Sequence, residues 1–311
     1  MRPKPSSLSS AKGVTLVELL LALVVGMVVL GLAFSITLSN RRLYQVDQSR
    51  TALNQNLRTA MDMIGADVRQ AGERMPQDFT PIEVIDGGQL DTLVLRRSLL
   101  DTVLPVCEPI KGGSNEDNIN VAKKVNAPNA ACTFDDSNGN GSDDRIDRWR
   151  EFRCSQDGVA GCQGNSQEVL RAYVYNPLTR QGEWIIYDRE DNSGVKIHKA
   201  NNESWLYTYR VEDKPRIYVL EERRYRLKDG FLQLVINGDV NNPRNVIDRA
   251  TAFSVRALMR DNTWRTAIDP QSTWTDIASL EIQLTGRNPF SGRDLERTLT
   301  SRFMPRNILS Y

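Results

Sequence analysis

The pattern of hydrophobic and polar positions begins with one long helix. Residues 14–38 form an almost continuous apolar run with a single charge, Glu18. About 20 apolar residues are enough for a helix to cross a bilayer. From 39 to 72 apolar residues recur every three or four positions, which predicts an amphipathic continuation of roughly 85 Å in total length. Gly72 and Pro76 indicate where this helix ends.

After residue 72 the chain changes to short segments rich in Val, Ile, Leu and Tyr, which are typical of strands. A tight hairpin is predicted at Lys228-Asp229-Gly230, because Gly allows a positive φ, and the Asn-rich run 237–245 indicates a loop. We therefore predict an α+β fold in which the long helix packs on an antiparallel β-sheet within the domain 73–311. The predicted strands cover residues 92–97, 168–175, 183–187, 216–227, 231–236, 251–259, 278–285 and 295–303.

Residues 105–165 differ from the rest and predict a loop-rich insertion with disulfides. No Cys-x-x-Cys pair occurs and the single histidine, His198, is distant in sequence, so disulfides in an oxidising compartment are favoured over zinc. Free buried thiols are the alternative. Of the three possible pairings, we prefer the two that close local loops, Cys107–Cys132 and Cys154–Cys162.

One stretch of this insertion has the spacing of a calcium loop. Its side-chain oxygens fall at positions one, three, five, nine and twelve, with glycine at six. A structural calcium ion is therefore a hypothesis, and a flexible Asx-rich turn without flanking helices is the alternative. The candidate ligands are Asp136, Asn138, Asn140, Ser142, Asp144 and Asp147.

Charge and motifs argue against two functional classes. The 40 basic and 39 acidic residues nearly balance, which gives no general electrostatic case for nucleic acid as a partner. The pairs Arg96-Arg97 and Arg223-Arg224 are typical of solvated strand faces. No nucleophile elbow, phosphate loop or zinc signature occurs, so we expect no enzymatic activity and no required cofactor.

The start of the chain predicts a single-pass membrane protein. Residues 1–13 carry three basic residues and no acidic one, which places the N-terminus in the cytoplasm and the domain in the periplasm. The apolar run is longer than that of a secretory signal and no small-residue cleavage site follows it. A plain signal anchor is the alternative, but it leaves Glu18 unexplained.

The sequence Lys12-Gly13-Val14-Thr15-Leu16-Val17-Glu18 resembles the type III signal of type IV prepilins and pseudopilins. The resemblance implies that a prepilin peptidase removes the leader 1–13 by cutting after Gly13, and that Val14 is then N-methylated. Val14 departs from the phenylalanine that the family usually has there. Glu18, with Thr15, would act in subunit assembly by facing the N-terminal amine of a neighbouring subunit.

Two further segments, 62–72 and 303–307, resemble the helix end and the closing strand of PilW-type minor pilins. The resemblance implies a minor pilin that primes pilus assembly at or near the tip. Its partners would be other minor and major pilins, the peptidase and methylase, and the assembly platform of the inner membrane, before it reaches the fibre at the cell surface. A pseudopilin of a type II secretion system and a tip adhesin or DNA-uptake subunit are the alternatives.

Overall fold

The computed structural model describes residues 15–156, 169–200, 203–270, 274–290 and 293–307, without the side chains of 289–290 and 293–294. The helices of this part of the chain are α1 (Leu16–Gln70) and α2 (Asp144–Ser155). Its strands are β1 (Ile82–Ile85), β2 (Thr92–Ser98), β3 (Leu104–Pro105), β4 (Asn118–Asn120), β5 (Leu170–Asn176), β6 (Gln181–Glu190), β7 (Lys196–Lys199), β8 (Arg216–Tyr218), β9 (Leu220–Lys228), β10 (Phe231–Ile236), β11 (Arg244–Ile247), β12 (Ala250–Met259), β13 (Trp264–Arg265), β14 (Ile277–Phe290) and β15 (Arg293–Phe303).

The long helix predicted from the sequence is confirmed. α1 is continuous over 55 residues, and the apolar side chains of its first half are exposed on all sides. It is the one helix among the described residues that is long and apolar enough to cross a membrane. Among the described residues, contacts place 15–53 in one unit with the described part of 288–295, and the remaining residues from 54 onward in a second unit. Within the second unit, α1 buries a stripe formed by Leu57, Met61, Ile64 and Val68.

An antiparallel sheet in the order β1-β2-β9-β10-β11 lies against the end of α1, which confirms the α+β fold. The predicted hairpin joins β9 and β10, with a φ of 52° at Asp229 and 77° at Gly230. Positive φ at both central residues is what a two-residue hairpin requires. β11 begins inside the Asn-rich run that was predicted as a loop.

The insertion is larger than the sequence pattern indicates and has a core of its own. β2 and β9 are paired up to Ser98 and Leu220, so residues 99–219 are inserted between two neighbouring strands. They form a second antiparallel sheet in the order β3-β8-β5-β6-β7-β4. α2, which the sequence analysis did not predict, covers this sheet with the fully buried side chains of Ile146 and Trp149.

The predicted strand 216–227 is divided in the structure because it serves two sheets. β8 pairs with β5 in the inserted sheet, and β9 pairs with β2 in the sheet beside α1. Between them, the carbonyl of Val219 accepts a hydrogen bond from the backbone N–H of Leu99 at 2.8 Å. Because the sequence keeps a continuous β pattern from 216 to 227, it does not indicate where the chain leaves the insertion and re-enters the sheet beside α1.

The three strands predicted near the C-terminus are β12, β14 and β15. Together with the two-residue strand β13, which was not predicted, they form a third sheet in the order β13-β12-β14-β15. β12 and β14 are antiparallel with irregular register at both ends. The sheet is joined to the start of β2 by Asp91, whose carboxylate accepts the backbone N–H of Val255 at 2.8 Å. This contact ties the third sheet to the sheet beside α1.

Candidate functional site: the N-terminal cap and the end of the long helix

The N-terminus of α1 is closed by a reciprocal pair of hydrogen bonds between Thr15 and Glu18. The backbone N–H of Thr15 donates to Glu18 Oε2 at 3.1 Å, and the backbone N–H of Glu18 donates to Thr15 Oγ1 at 3.2 Å. This is a capping box, which satisfies two amides that a helix start leaves without partners. Gly13 and Val14, the predicted cleavage site, lie outside the described residues.

The side chains next to Glu18 are apolar and are left exposed in the single chain. Leu16, Val17 and Leu19 are 61% to 77% exposed. A carboxylate in such a segment is costly in lipid unless a positive group pairs with it. The Glu18 side chain can therefore cap its own helix or pair with a cation brought by another molecule.

At its other end, α1 meets the body of the protein in a cluster that we call the helix-end junction, formed by Gly65, Asp67, Gly72, Phe303 and Asn307. Gly65 is buried because the ring of Phe303 lies against it. A methyl group at position 65 would come within 2.7 Å of Phe303 Cδ1 and 2.9 Å of Cζ. Glycine thus allows the last strand to approach the helix.

Asp67 connects the helix to β9 within the junction. Its buried carboxylate accepts hydrogen bonds from Arg223 Nη1 at 2.8 Å and from the hydroxyl of Tyr225. Burial, together with the Asp67 charge, raises the pKa of Tyr225 well above its usual range, so the phenol stays a donor. Charge-assisted hydrogen bonds of this kind fix the rotation of the helix on the sheet.

The last turn of α1 is capped by residues that are distant in sequence. Gly72 has a φ of 81°, and its backbone N–H donates to the carbonyl of Arg96 at 2.9 Å. The side-chain amide of Asn307 donates to the carbonyls of Gln70 and Ala71, both at 3.3 Å. Helix-end carbonyls need such donors, so the two segments 62–72 and 303–307 contact each other directly.

The two arginine pairs do not lie on solvated faces, which corrects the sequence-based interpretation. Arg96 is nearly buried and donates to Glu222 at 2.9 Å and to Glu83 at 2.8 Å. Arg223 pairs with Asp67 as described above, and Arg224 contacts Glu222 at 3.0 Å. These charges are already engaged by carboxylates of the same chain.

Within the insertion, the predicted disulfide Cys107–Cys132 is confirmed, with a Cα–Cα distance of 5.6 Å. Cys154 is also disulfide-bonded, and its predicted partner Cys162 lies outside the described residues. His198 lies on β7, where its ring contacts Asp188 at 2.7 Å.

All six candidate calcium ligands are described: four lie in the loop that leads into α2, and Asp144 and Asp147 lie in the first turn of α2. Sequence reasoning missed α2 itself, although Asp143 is a recognisable N-cap. It also missed the roles of Gly65 and Asn307, because no local pattern shows which residues meet across the fold.

Comparison with protein-family models, with curated proteins and with solved structures finds no match to this chain. A functional proposal therefore depends on the residues and contacts described above.

Proposed function

We propose that this chain is a minor pilin of a type IV pilus, a structural subunit that primes assembly and lies at or near the tip. The observation that carries the proposal is Glu18, a carboxylate in the first turn of a 55-residue helix whose first half exposes apolar side chains on every side. A single chain offers no cover for that surface. Lipid would cover it before assembly, and the helices of neighbouring subunits would cover it in the fibre.

A buried carboxylate gives such a bundle its register. Apolar helices can slide past one another, whereas a charge pair in a medium of low dielectric is satisfied in one alignment only. At an effective dielectric constant of about 20, two unit charges 4 Å apart attract by about 4 kcal/mol. Each charge also removes the desolvation cost of the other. We propose that the partner of Glu18 is the N-terminal amine of a neighbouring subunit, created by the cut after Gly13.

The capping box supports this role because it keeps the carboxylate in place before assembly. Thr15 and Glu18 satisfy one another in the isolated subunit. Thr15 would be the second residue after the cut, so the capped helix would begin almost at the new N-terminus. On assembly, the Glu18 carboxylate would leave the cap of its own helix and pair with the amine of the neighbouring subunit. It would therefore have a partner in both states.

The first experiment is intact mass and N-terminal sequencing of the protein purified from its native membrane. The proposal expects a chain that begins at N-methylated Val14. An intact Met1, or a cut beyond Leu38, would contradict it and leave a signal-anchored or secreted domain.

A second experiment separates the charge of Glu18 from its capping role. Glu18→Gln keeps the capping box, since Gln serves in this motif, but removes the charge. Thr15→Ala is the matched control, because it removes the hydroxyl cap and keeps the charge. We expect both variants to be processed, and Glu18→Gln alone to remain in the membrane fraction and be absent from sheared fibres. Normal incorporation of Glu18→Gln would refute the charge-pair mechanism.

The alternative role, a pseudopilin of a type II secretion system, predicts the same cleavage and the same need for Glu18. The two roles differ in the consequence of deleting the gene. Loss of surface pili and twitching supports the minor pilin, whereas loss of secreted enzymes with pili intact supports the pseudopilin.

A further inference from the structure

The loop 136–147 has the architecture of the second half of a helix-loop-helix calcium site. Its sixth position, Gly141, has a φ of 88°, which allows the sharp turn that such loops make. α2 begins at the ninth position, Asp144, and the twelfth position, Asp147, lies in its first turn. The first position, Asp136, accepts the backbone N–H groups of Asn140 and Gly141 at 2.9 Å each. A helix thus follows the loop where a calcium loop would have one.

The side chains of positions three, five and twelve converge on one point. Asp147 Oδ2 accepts the amide of Asn138 at 3.0 Å and the amide of Asn140 at 2.7 Å. Asp147 as a whole residue is only 9% exposed. The other oxygen, Oδ1, accepts a hydrogen bond from Arg150 Nη1 at 3.0 Å. The two amides therefore occupy the Oδ2 side of the carboxylate, the position that a bound cation would take.

Independent of these hydrogen bonds, two buried oxygens of the loop have no hydrogen-bond partner. Ser142 is 8% exposed, and its hydroxyl lies next to the Asp147 carboxylate but finds no partner at hydrogen-bonding distance and angle. Asp144 Oδ1 is also buried without a partner. Its companion Oδ2 accepts the backbone N–H of Ser137 at 3.2 Å, so this carboxylate faces the loop. Buried oxygens without partners are unfavourable unless another group, such as a cation, satisfies them.

The chemical type of the candidate ligand oxygens indicates which metal ion the loop would bind. In the part of the chain that the structure describes, no three carboxylate, thiolate or imidazole groups gather in a way that would hold a metal ion by themselves. A cation here would depend on amide, hydroxyl and main-chain oxygens besides carboxylates. Ca²⁺ accepts six to eight oxygen ligands of mixed type, whereas Zn²⁺ prefers sulfur and nitrogen.

We propose that the loop 136–147 binds one Ca²⁺ ion, with ligands from Asp136, Asn138, Asn140, Asp144 and Asp147 and from the Ser142 position. The ion would fix the loop to the start of α2, and through Trp149 it would stabilise the inserted sheet. Because the carboxylates do not gather closely enough to hold the ion alone and the other ligands are neutral oxygens, the affinity should resemble that of extracellular calcium modules, a dissociation constant of about 10⁻⁴ to 10⁻³ M. This proposal does not depend on the role in a pilus.

The test uses the full chain in detergent, stripped with EDTA and titrated with CaCl₂ by calorimetry, with MgCl₂ in parallel. We expect one Ca²⁺ per chain and a melting temperature that rises with Ca²⁺ but not with Mg²⁺. Absence of binding up to about 10 mM, above the weakest class of extracellular calcium sites, would overturn the proposal. Equal stabilisation by both ions would overturn it as well.

Two variants and a control locate the site. Asp136→Asn and Asp144→Asn each remove one charge but keep an oxygen for the loop amides, so both should fold, and circular dichroism checks this. We expect roughly tenfold or greater loss of Ca²⁺ affinity in each, since charge count tunes such loops. Asp261→Asn is the matched control, because Asp261 accepts the backbone N–H of Thr263 in an exposed turn elsewhere. Unchanged affinity in both loop variants would assign the binding to another site.

Discussion

Replacing Gly65 with alanine tests whether the helix-end junction is as closely packed as the structure indicates. Alanine in a helix interior is favoured over glycine by about 1 kcal/mol, so a free helix would become more stable. At this position the added methyl group would overlap the Phe303 ring, and overpacking costs about 1–3 kcal/mol. The ring is partly exposed and can give way at some cost. We therefore expect Gly65→Ala to lower the free energy of unfolding by about 1 kcal/mol.

The sign of the effect should reverse when the ring is absent. In a Phe303→Ala background the ring atoms nearest to the methyl group are absent, so Gly65→Ala should stabilise the protein by about 1 kcal/mol. The coupling energy between the two positions would then be about 2 kcal/mol, a size expected only for residues in contact. Urea unfolding of the full chain in detergent, followed by tryptophan fluorescence, measures all four proteins, because the five tryptophans lie within residues 149–274.

The result that refutes this reasoning is additivity. If Gly65→Ala stabilises the wild-type protein as much as it stabilises the Phe303→Ala variant, the ring does not lie against the helix. The glycine would then need another explanation, and the close approach of the last strand to α1 would be wrong.

Three further predictions use the same unfolding assay. Asn307→Ala removes the donor to the last carbonyls of α1 and should cost about 1 kcal/mol, whereas Asn307→Gln should recover part of the loss. Arg96→Met leaves the buried Glu222 carboxylate without its closest cation and should lower the free energy of unfolding by about 3 kcal/mol. This is the lower end of the range for a broken buried ion pair, because Arg224 still contacts the same carboxylate. The hydrogen bond from Arg302 holds the pKa of Glu281 below its usual range. Ionised Glu281 therefore stabilises the fold at pH values above the unfolded-state pKa of about 4.3. This stability is lost as the pH falls through the folded-state pKa. The stability of the wild type should therefore fall more steeply below about pH 4.3 than that of Glu281→Gln, and parallel curves would contradict this.

Local patterns predicted those elements whose signal lies within a few residues. The apolar run and the amphipathic repeat predicted α1, and the bounds differ from the structure by only two residues at either end. The strand 231–236 and the hairpin at Asp229 and Gly230 were predicted with the observed bounds, since turn chemistry and side-chain alternation are both local. The disulfide between Cys107 and Cys132 followed from a preference for short loops.

What the sequence could not show depends on pairs that are distant along the chain. α2 carries only a few apolar residues among many charges, so its periodicity is weak, and it is stabilised by packing on the inserted sheet. The extent of the insertion depends on the pairing of Ser98 with Leu220. Arg96 was assigned to a solvated face because its partners, Glu83 and Glu222, lie on other strands. Burial of a charge is decided by tertiary structure and leaves no local signal.

The insertion, residues 99–219, is separate from the sheet beside α1 in its strand connections, but it packs against the segment that follows α1. Its two ends leave and re-enter paired strands, so the sheet beside α1 is complete without it. Yet Phe79, a few residues after the end of α1, packs its ring against Tyr175 and Tyr218 of the inserted sheet, with centroid distances of 4.2 and 5.3 Å. Arg74, nearer still to α1, donates to the carbonyl of Leu99 at 3.1 Å. A rearrangement at the end of the long helix would therefore reach the insertion through packed rings and hydrogen bonds, because the segment that joins them is anchored by buried residues such as Met75 and Phe79.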